Sequence, residues 1–369
     1  MLNSVPSETI LSNPKEASSV MTSSVKPPRL IAWELTSGCN LSCLHCRGSS
    51  TECAAENELS TEEALNFIDE VASMGSPILI LSGGEPLVRA DVYDLAKYGT
   101  EKGLRVVLAT NGTLVDREVA RKMKDSGIKR VSISIDGSTA ETHDGFRGVP
   151  GAFDKAMGGI EALKAEGLGF QINTTITKRN LTQIPGILEL AQKIGAEALH
   201  IFLLVPTGRG ESLVDEEIPP VEYEKVLRWF YDQRKTAGLE LKATCAPHYF
   251  RIMRQRASQE GLEVNVENFG YEALSRGCLG GISFCFVSST GDVQPCGYLP
   301  TLAGNIREEG FRKIWEESEL FNSLRDYELL KGKCGKCSYR NVCGGCRARA
   351  YAATGDYLAE EPYCIYIPH

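Results

Sequence analysis

Three cysteines, Cys39, Cys43 and Cys46, stand within eight residues of each other in the stretch GCNLSCLHCRG. The residues before them lack the apolar core of a signal peptide, so the thiols are expected in a reducing compartment, where closely spaced cysteines bind metal rather than pair as disulfides. Three thiolates from one tight loop can hold three irons of a [4Fe–4S] cubane and leave the fourth iron open to a ligand, whereas electron-transfer cubanes take four cysteines. A zinc knuckle is the competing chemistry; it needs a fourth ligand, which Cys53 or His45 could supply. The chain has thirteen cysteines, and they fall at its two ends. Cys278, Cys285, Cys296, Cys334, Cys337, Cys343, Cys346 and Cys364 form the second group, with only Cys245 between the two. Cys-x2-Cys pairs also build zinc ribbons, so this second group by itself leaves zinc open.

The elements that must position the first loop repeat regularly. Apolar, β-rich runs at 30–36, 77–83, 105–112, 130–137, 170–177 and 198–206 are each followed by an amphipathic helical stretch. The first helix carries a capping box, Ser60 to Glu63, ahead of ALNFIDEVASM. Right-handed crossovers between six such βα units predict an open α/β barrel, a partial (β/α)6 sheet two units short of closure. In such sheets chemistry sits at the carboxyl ends of the strands. The cysteine loop, SGGEP, ATNGT, SIDGS, TTITKRN and VPTGRG would all converge on that rim. With 369 residues and 42% hydrophobic content the chain can bury a full core. Residues 1–27, rich in Ser, Pro, Thr and Lys, are expected to be a mobile leader. The absence of a long apolar run and the net charge of −8 point to a cytoplasmic protein with neither membrane nor nucleic-acid partners.

The spacing Cys39-x3-Cys43-x2-Cys46 directly after the first strand, together with GGEP after the second, resembles the radical S-adenosylmethionine (SAM) superfamily over roughly residues 28–240. The resemblance implies that Cys39, Cys43 and Cys46 hold the cluster whose open iron chelates SAM. It implies that Gly83, Gly84, Glu85 and Pro86 hold the methionine ammonium, the glycines by close approach and the carboxylate by charge. Ser134 and Arg147 would contact the ribose and the SAM carboxylate, with Asn173 and Thr175 as further ribose candidates. His45 departs from the family, which usually has an aromatic residue there; its imidazole can still pack against adenine.

Cys278-x12-Gly291-x4-Cys296, Cys334-x2-Cys337-x5-Cys343-x2-Cys346 and Cys364 resemble the SPASM extension that carries auxiliary iron–sulfur clusters, with the last short spacing one residue tighter than usual. By that resemblance Cys278, Cys285, Cys296 and Cys346 would hold one auxiliary [4Fe–4S] cluster and Cys334, Cys337, Cys343 and Cys364 a second, leaving Cys53 and Cys245 as reduced thiols. Residues 278–369 form this small domain, and 241–277 are expected to be a linker. The long stretches PRLIAWELTSGCNLSCLHCRG, SFCFVSSTGDVQPCGYLP and CSYRNVCGGCRARAYAATGDYLAEEPYC resemble the heme b synthases of the siroheme-dependent pathway. The implied activity is oxidative decarboxylation of two propionates of iron-coproporphyrin III to vinyl groups, with SAM as co-substrate and a flavodoxin or ferredoxin as low-potential electron donor. Arg209, Arg347 and Arg349 are candidate propionate anchors. His200 and His248 are candidate axial ligands of the substrate iron, although a core histidine is the plainer reading of each. A peptide-modifying maturase is the alternative enzyme, and a cluster-binding or zinc-binding scaffold the alternative outside enzymes.

Overall fold

The computed structural model describes residues 25–368. All six expected strands are present as β1 (Leu30–Glu34), β2 (Ile78–Ser82), β3 (Arg105–Thr110), β4 (Val131–Ser134), β5 (Phe170–Ile176) and β6 (Ala198–Leu203). The same sheet continues on both sides, with β7 (Glu240–Thr244) beyond β6, and with β8 (Phe284–Val287), β9 (Asp292–Gln294) and β10 (Gly304–Asn305) beyond β1. From β8 through β7 every pair is parallel; β9 and β10 are antiparallel.

One boundary expectation needs correction. The stretch 241–277 is no bare linker, because it holds most of β7 and the helix His248–Gln259. ELKAT is short and half polar, as an edge strand with one free side can be. The leader expectation lies mostly outside the described residues, but at its end the Trp315 indole donates to the Lys26 carbonyl at 2.9 Å.

Helices cover the outer face. The capping box before the helix Thr61–Met74 is formed reciprocally, Glu63 N–H donating to Ser60 Oγ at 3.2 Å and Ser60 N–H to the Glu63 carboxylate at 2.8 Å. Outward-facing strand residues such as Trp33, Leu79, Leu108, Ile172 and Ile201 are sealed beneath these helices. Trp33 meets Phe67 edge-on at 5.0 Å, and Phe67 meets Phe311, so the C-terminal helices share this core.

The inner face behaves differently. Ala32, Ile80, Val107, Ala109, Asn173, Thr175, His200, Phe202, Lys242 and Thr244 alternate with the sealed residues, and each keeps partial solvent access. Side chains alternate across a strand, so these residues share the inner face, the wall of the lumen, which is less completely covered than the outer one although Ser132, Gln171 and Ala198 on the same face are buried.

Candidate functional site

The cysteine loop leaves β1 and is clasped by the neighbouring rim loops. Cys39 N–H donates to the Thr51 carbonyl at 2.7 Å, and Leu44 N–H to the Phe146 carbonyl at 2.9 Å. Gly84 N–H donates to the Thr36 carbonyl and Glu85 N–H to the Gly38 carbonyl. A side-chain carbon at Gly84 would stand 2.3 Å from the Gly38 oxygen, and one at Gly208 2.1 Å from the Arg47 oxygen. Only glycine permits either approach.

Arg209 bolts the loop from the β6 side: its Nε donates to the Cys43 carbonyl at 2.9 Å and its Nη1 to the Ser50 carbonyl at 2.6 Å. Arg209 is therefore a loop brace, not the free propionate anchor expected. Arg47, beside Cys46, pairs with Glu34 at 2.6 Å, lies 4.2 Å over the Phe286 ring and donates to the Gly297 carbonyl at 3.4 Å. It ties the cysteine loop to the residue after Cys296, a link that sequence reasoning missed.

Each of the three sulfurs receives a donor. Leu41 N–H points at Cys39 Sγ and Ser50 N–H at Cys46 Sγ, both at 3.4 Å, and Arg147 Nη1 lies 3.6 Å from Cys43 Sγ. Donors aimed at sulfur favour thiolates, the form that binds iron. Without a cation, burial pushes the Cys39 thiol up to about 11. The three residues thus fit a metal cluster that deprotonates them.

Glu85 follows the two glycines and turns beneath the rim. Its carboxylate is fully buried and accepts from Thr110 Oγ1 at 2.7 Å, Asn111 N–H at 2.8 Å and Leu87 N–H at 3.2 Å. Burial outweighs those donors and pushes Glu85 up to about 7. Through these bonds it braces the loop after β3, and Pro86 beside it is also buried. The partly accessible part of the motif is Gly83 and Gly84.

Arg147 sits at the end of the helix Ala140–Arg147, and its Nη2 pairs with Asp136 at 2.6 Å. Asp136, in SIDGS, was not singled out from sequence, yet it is the hub here. It is fully buried, accepts from Thr175 N–H at 2.8 Å and stands 3.4 Å from His45 Nε2. Burial would raise its carboxyl, but Arg147 and the two neighbouring histidines hold it below its ordinary range. Burial pushes His45 down to about 4, so the ring is neutral, and it meets Phe146 edge-on at 5.2 Å. Ser134 and Asn173 face one another across the β4–β5 pair with Thr175 above them, so these three share the lumen wall.

Eight further thiols gather into two sets, with one exchange. Cys285 lies on β8 opposite Ile31, sealed in the main core away from every other thiol. Cys245 takes the place expected for it. It ends β7 in a left-handed conformation (φ 56°) and packs with Cys296 and Cys346 against Val205 and Leu299. Cys278 and Cys346 both act on the Cys296 thiol, which closes the set Cys245, Cys278, Cys296 and Cys346. The other set is as expected: Cys334, Cys337, Cys343 and Cys364 line one cavity. Glu361, Tyr339 and Gly345 N–H groups point at Cys334, Cys337 and Cys343, each at 3.4 Å.

The remaining candidates are structural. Arg347 donates to the Tyr357 and Ala359 carbonyls. Arg349, almost fully buried, donates to the Cys245, Leu203 and Leu204 carbonyls and to Glu361. His248 is spent on Glu361 at 2.5 Å. None of the three reaches the lumen as an anchor or an iron ligand.

Residues 33–191 match the model of the radical SAM superfamily, and residues 278–347 match SPASM, an iron–sulfur cluster-binding domain. An AdoMet-dependent heme synthase of Methanosarcina barkeri is 62% identical over 94% of this chain and 99% of its own length. The chain belongs to the radical SAM superfamily. An AdoMet-dependent heme synthase of Nitratidesulfovibrio vulgaris is 56% identical over 92% of this chain and 93% of its own. Among solved structures, SuiB of Streptococcus suis bound to S-adenosylmethionine superposes with a TM-score of 0.73 at 17% identity, covering 92% of this chain and 78% of that one, which shows a shared fold. As a radical SAM enzyme with a SPASM domain, the chain uses a SAM-binding [4Fe–4S] cluster and auxiliary iron–sulfur clusters. Among the described residues no helix is long and apolar enough to cross a membrane.

Proposed function

We propose that this chain is an AdoMet-dependent heme synthase, which converts two propionates of iron-coproporphyrin III into the vinyl groups of heme b. The observation that carries the reading is the 62% identity to such an enzyme over nearly the whole of both chains. A partly exposed apolar stretch of the inner sheet face at Ala32, Ile80, Val107 and Phe284 is consistent with it, because a flat macrocycle needs an apolar surface with a few placed polar groups.

Cys39, Cys43 and Cys46 would hold the SAM-binding cluster. Cys245, Cys278, Cys296 and Cys346 would hold one auxiliary cluster, and Cys334, Cys337, Cys343 and Cys364 the other. When bound and reduced, the first cluster supplies the electron that cleaves SAM to a 5′-deoxyadenosyl radical. Each propionate gives a hydrogen atom from its β-carbon to that radical. The bond between the α-carbon and the carboxyl carbon would then break, carbon dioxide would leave with one electron passing to an acceptor, and the Cα–Cβ bond would become the vinyl double bond. A low-potential flavodoxin or ferredoxin would supply the reducing electrons.

The residues of the chain bind and orient. The Gly83 and Gly84 backbone, Ser134, Asn173 and Thr175 would line the SAM site. Arg147 places its positive charge beside Cys43 while Asp136 fixes the guanidinium. Arg209 and the rim glycines keep the loop from moving as charge changes.

The test is anaerobic turnover of the reconstituted enzyme with SAM, a strong reductant and iron-coproporphyrin III, followed by mass spectrometry. Loss of two formic-acid equivalents from the porphyrin, with 5′-deoxyadenosine formed, is the expected result. 5′-Deoxyadenosine with an untouched porphyrin would overturn the substrate assignment and point to a peptide.

A further inference from the structure

The lumen wall has two chemical halves. From β8 through β3 the middle of the inner face is apolar, Phe284, Ala32, Ile80, Val107 and Ala109, with Glu34, Ser82 and Arg105 only at the strand ends. From β4 through β7 one level of the wall carries Ser134, Asn173, His200 and Lys242, paired in register across successive strands.

Two donors in that polar row have no partner. Gln171 gives its amide hydrogens to Asn173 Oδ1 at 2.9 Å and to His200 Nδ1 at 3.0 Å. An amide nitrogen only donates, so Nδ1 accepts and the ring proton sits on Nε2. That buried Nε2–H has no acceptor, an arrangement that costs free energy until something accepts from it. Burial, with Lys242 and Arg130 adding to it, pushes His200 down to about 3, so the ring is a neutral donor.

Lys242, its neighbour across the β6–β7 pair, makes no hydrogen bond or ion pair among the described residues. Arg130, the other cation near His200, is already paired with Glu197 and Glu240. Glu272 feels the Lys242 charge without closing an ion pair, and burial pushes that carboxyl up to about 7.

We propose that His200 Nε2–H and the Lys242 ammonium form a carboxylate-binding subsite on the β6–β7 wall, which holds one propionate of the macrocycle while the apolar half of the lumen faces its ring. The proposal rests on the heme-synthase reading and deepens it. A neutral donor beside a cation suits a carboxylate. The same tautomer removes His200 from the candidates for axial ligand, because ligation needs the Nε2 lone pair that the proton occupies. Pinning one propionate limits how the ring can turn, and so which other propionates reach the SAM end of the lumen.

The test is anaerobic titration of the reconstituted enzyme with iron-coproporphyrin III and with its tetramethyl ester, read from the Soret band. Lys242→Met should weaken binding of the acid roughly ten- to a hundredfold, the worth of a charge-assisted hydrogen bond, and leave the ester unchanged. Lys242→Arg should recover most of the loss, and His200→Phe should weaken the acid without altering the coordination spectrum of the substrate iron. Lys242→Met binding the acid as tightly as wild type overturns the subsite, as does equal loss for acid and ester. A coordination change in His200→Phe overturns the donor assignment. Wild-type enzyme that binds neither compound removes the heme-synthase reading and the subsite together. Wild type that binds and decarboxylates the acid while Lys242→Met is silent removes the subsite alone.

Discussion

In the loop after β1, three cysteines come from eight consecutive residues; the loop's own Leu41 and Ser50 N–H groups reach two of the sulfurs, and the barrel adds Arg147 on the third, Arg209 on two carbonyls, and Gly84 and Gly208 in close approach. In the C-terminal region Cys245, Cys278, Cys296 and Cys346 come from four separate stretches, and the set Cys334, Cys337, Cys343 and Cys364 borrows its backbone donors partly from distant Glu361. The first arrangement is preorganised by protein. The second closes long loops, so much of the cost of ordering them falls to the metal. Loss of metal should therefore have different consequences in the two regions.

The largest effect should come from Cys245→Ala. It should remove about four irons per chain and lower the unfolding midpoint sharply, whereas Cys285→Ala should keep all the iron and cost about 1 kcal/mol of core packing. Iron analysis with thermal unfolding reads both, and equal iron loss in the two variants would break the exchange of ligands described here. Next, replacing Cys39, Cys43 and Cys46 together by Ala should abolish SAM cleavage and remove about four irons while barely moving the unfolding midpoint. A large drop in stability would show that this loop also depends on its metal.

Arg209→Ala should lose less iron and activity than that triple variant, each hydrogen bond from its charged donor being worth about 1.5–3 kcal/mol to the loop. Its sign is selective iron loss at the first site, visible by electron paramagnetic resonance, with the auxiliary signals kept. The smallest effect lies on the seam between the two regions, where Arg307 pairs with Glu63 at 2.6 Å. Arg307 and the Ser60 N–H hold the Glu63 carboxyl down to about 2. Its stabilisation is present above its ordinary range near 4.5 and is lost as pH falls toward 2. Solvent screening keeps it below about 1 kcal/mol. Glu63→Gln should thus lose stability at pH 7 and match the wild type near pH 2 in denaturant titrations.

Much of this molecule can be read from its sequence. The six strands announce themselves by apolar runs that end in turn residues, and the three-cysteine loop by its spacing. β7 escaped because ELKAT is too short and polar to stand out. The ligand set with Cys285 in place of Cys245 follows from the threading that the SPASM resemblance implies, not from anything local to either residue. Yet FCFV reads as a buried strand, whereas Cys245 follows a strand end, the position where every other rim group sits. Arg209 and Arg349 share a lesson: a charged side chain beside a cysteine loop can serve a ligand or the backbone, and the fold shows both spent on backbone carbonyls. Asp136 gave one signal, a carboxylate just past the end of β4, and no spacing rule distinguished it from a turn aspartate.

β1 carries the three-thiol loop and is hydrogen-bonded along both edges, to β2 on one side and to β8 on the other. The C-terminal region is therefore not an appendage that truncation could remove. Cutting the chain before Cys278 would strip one edge of β1 to bare N–H and C=O groups, an adhesive surface for other chains. The shortened protein should aggregate rather than survive as a smaller enzyme.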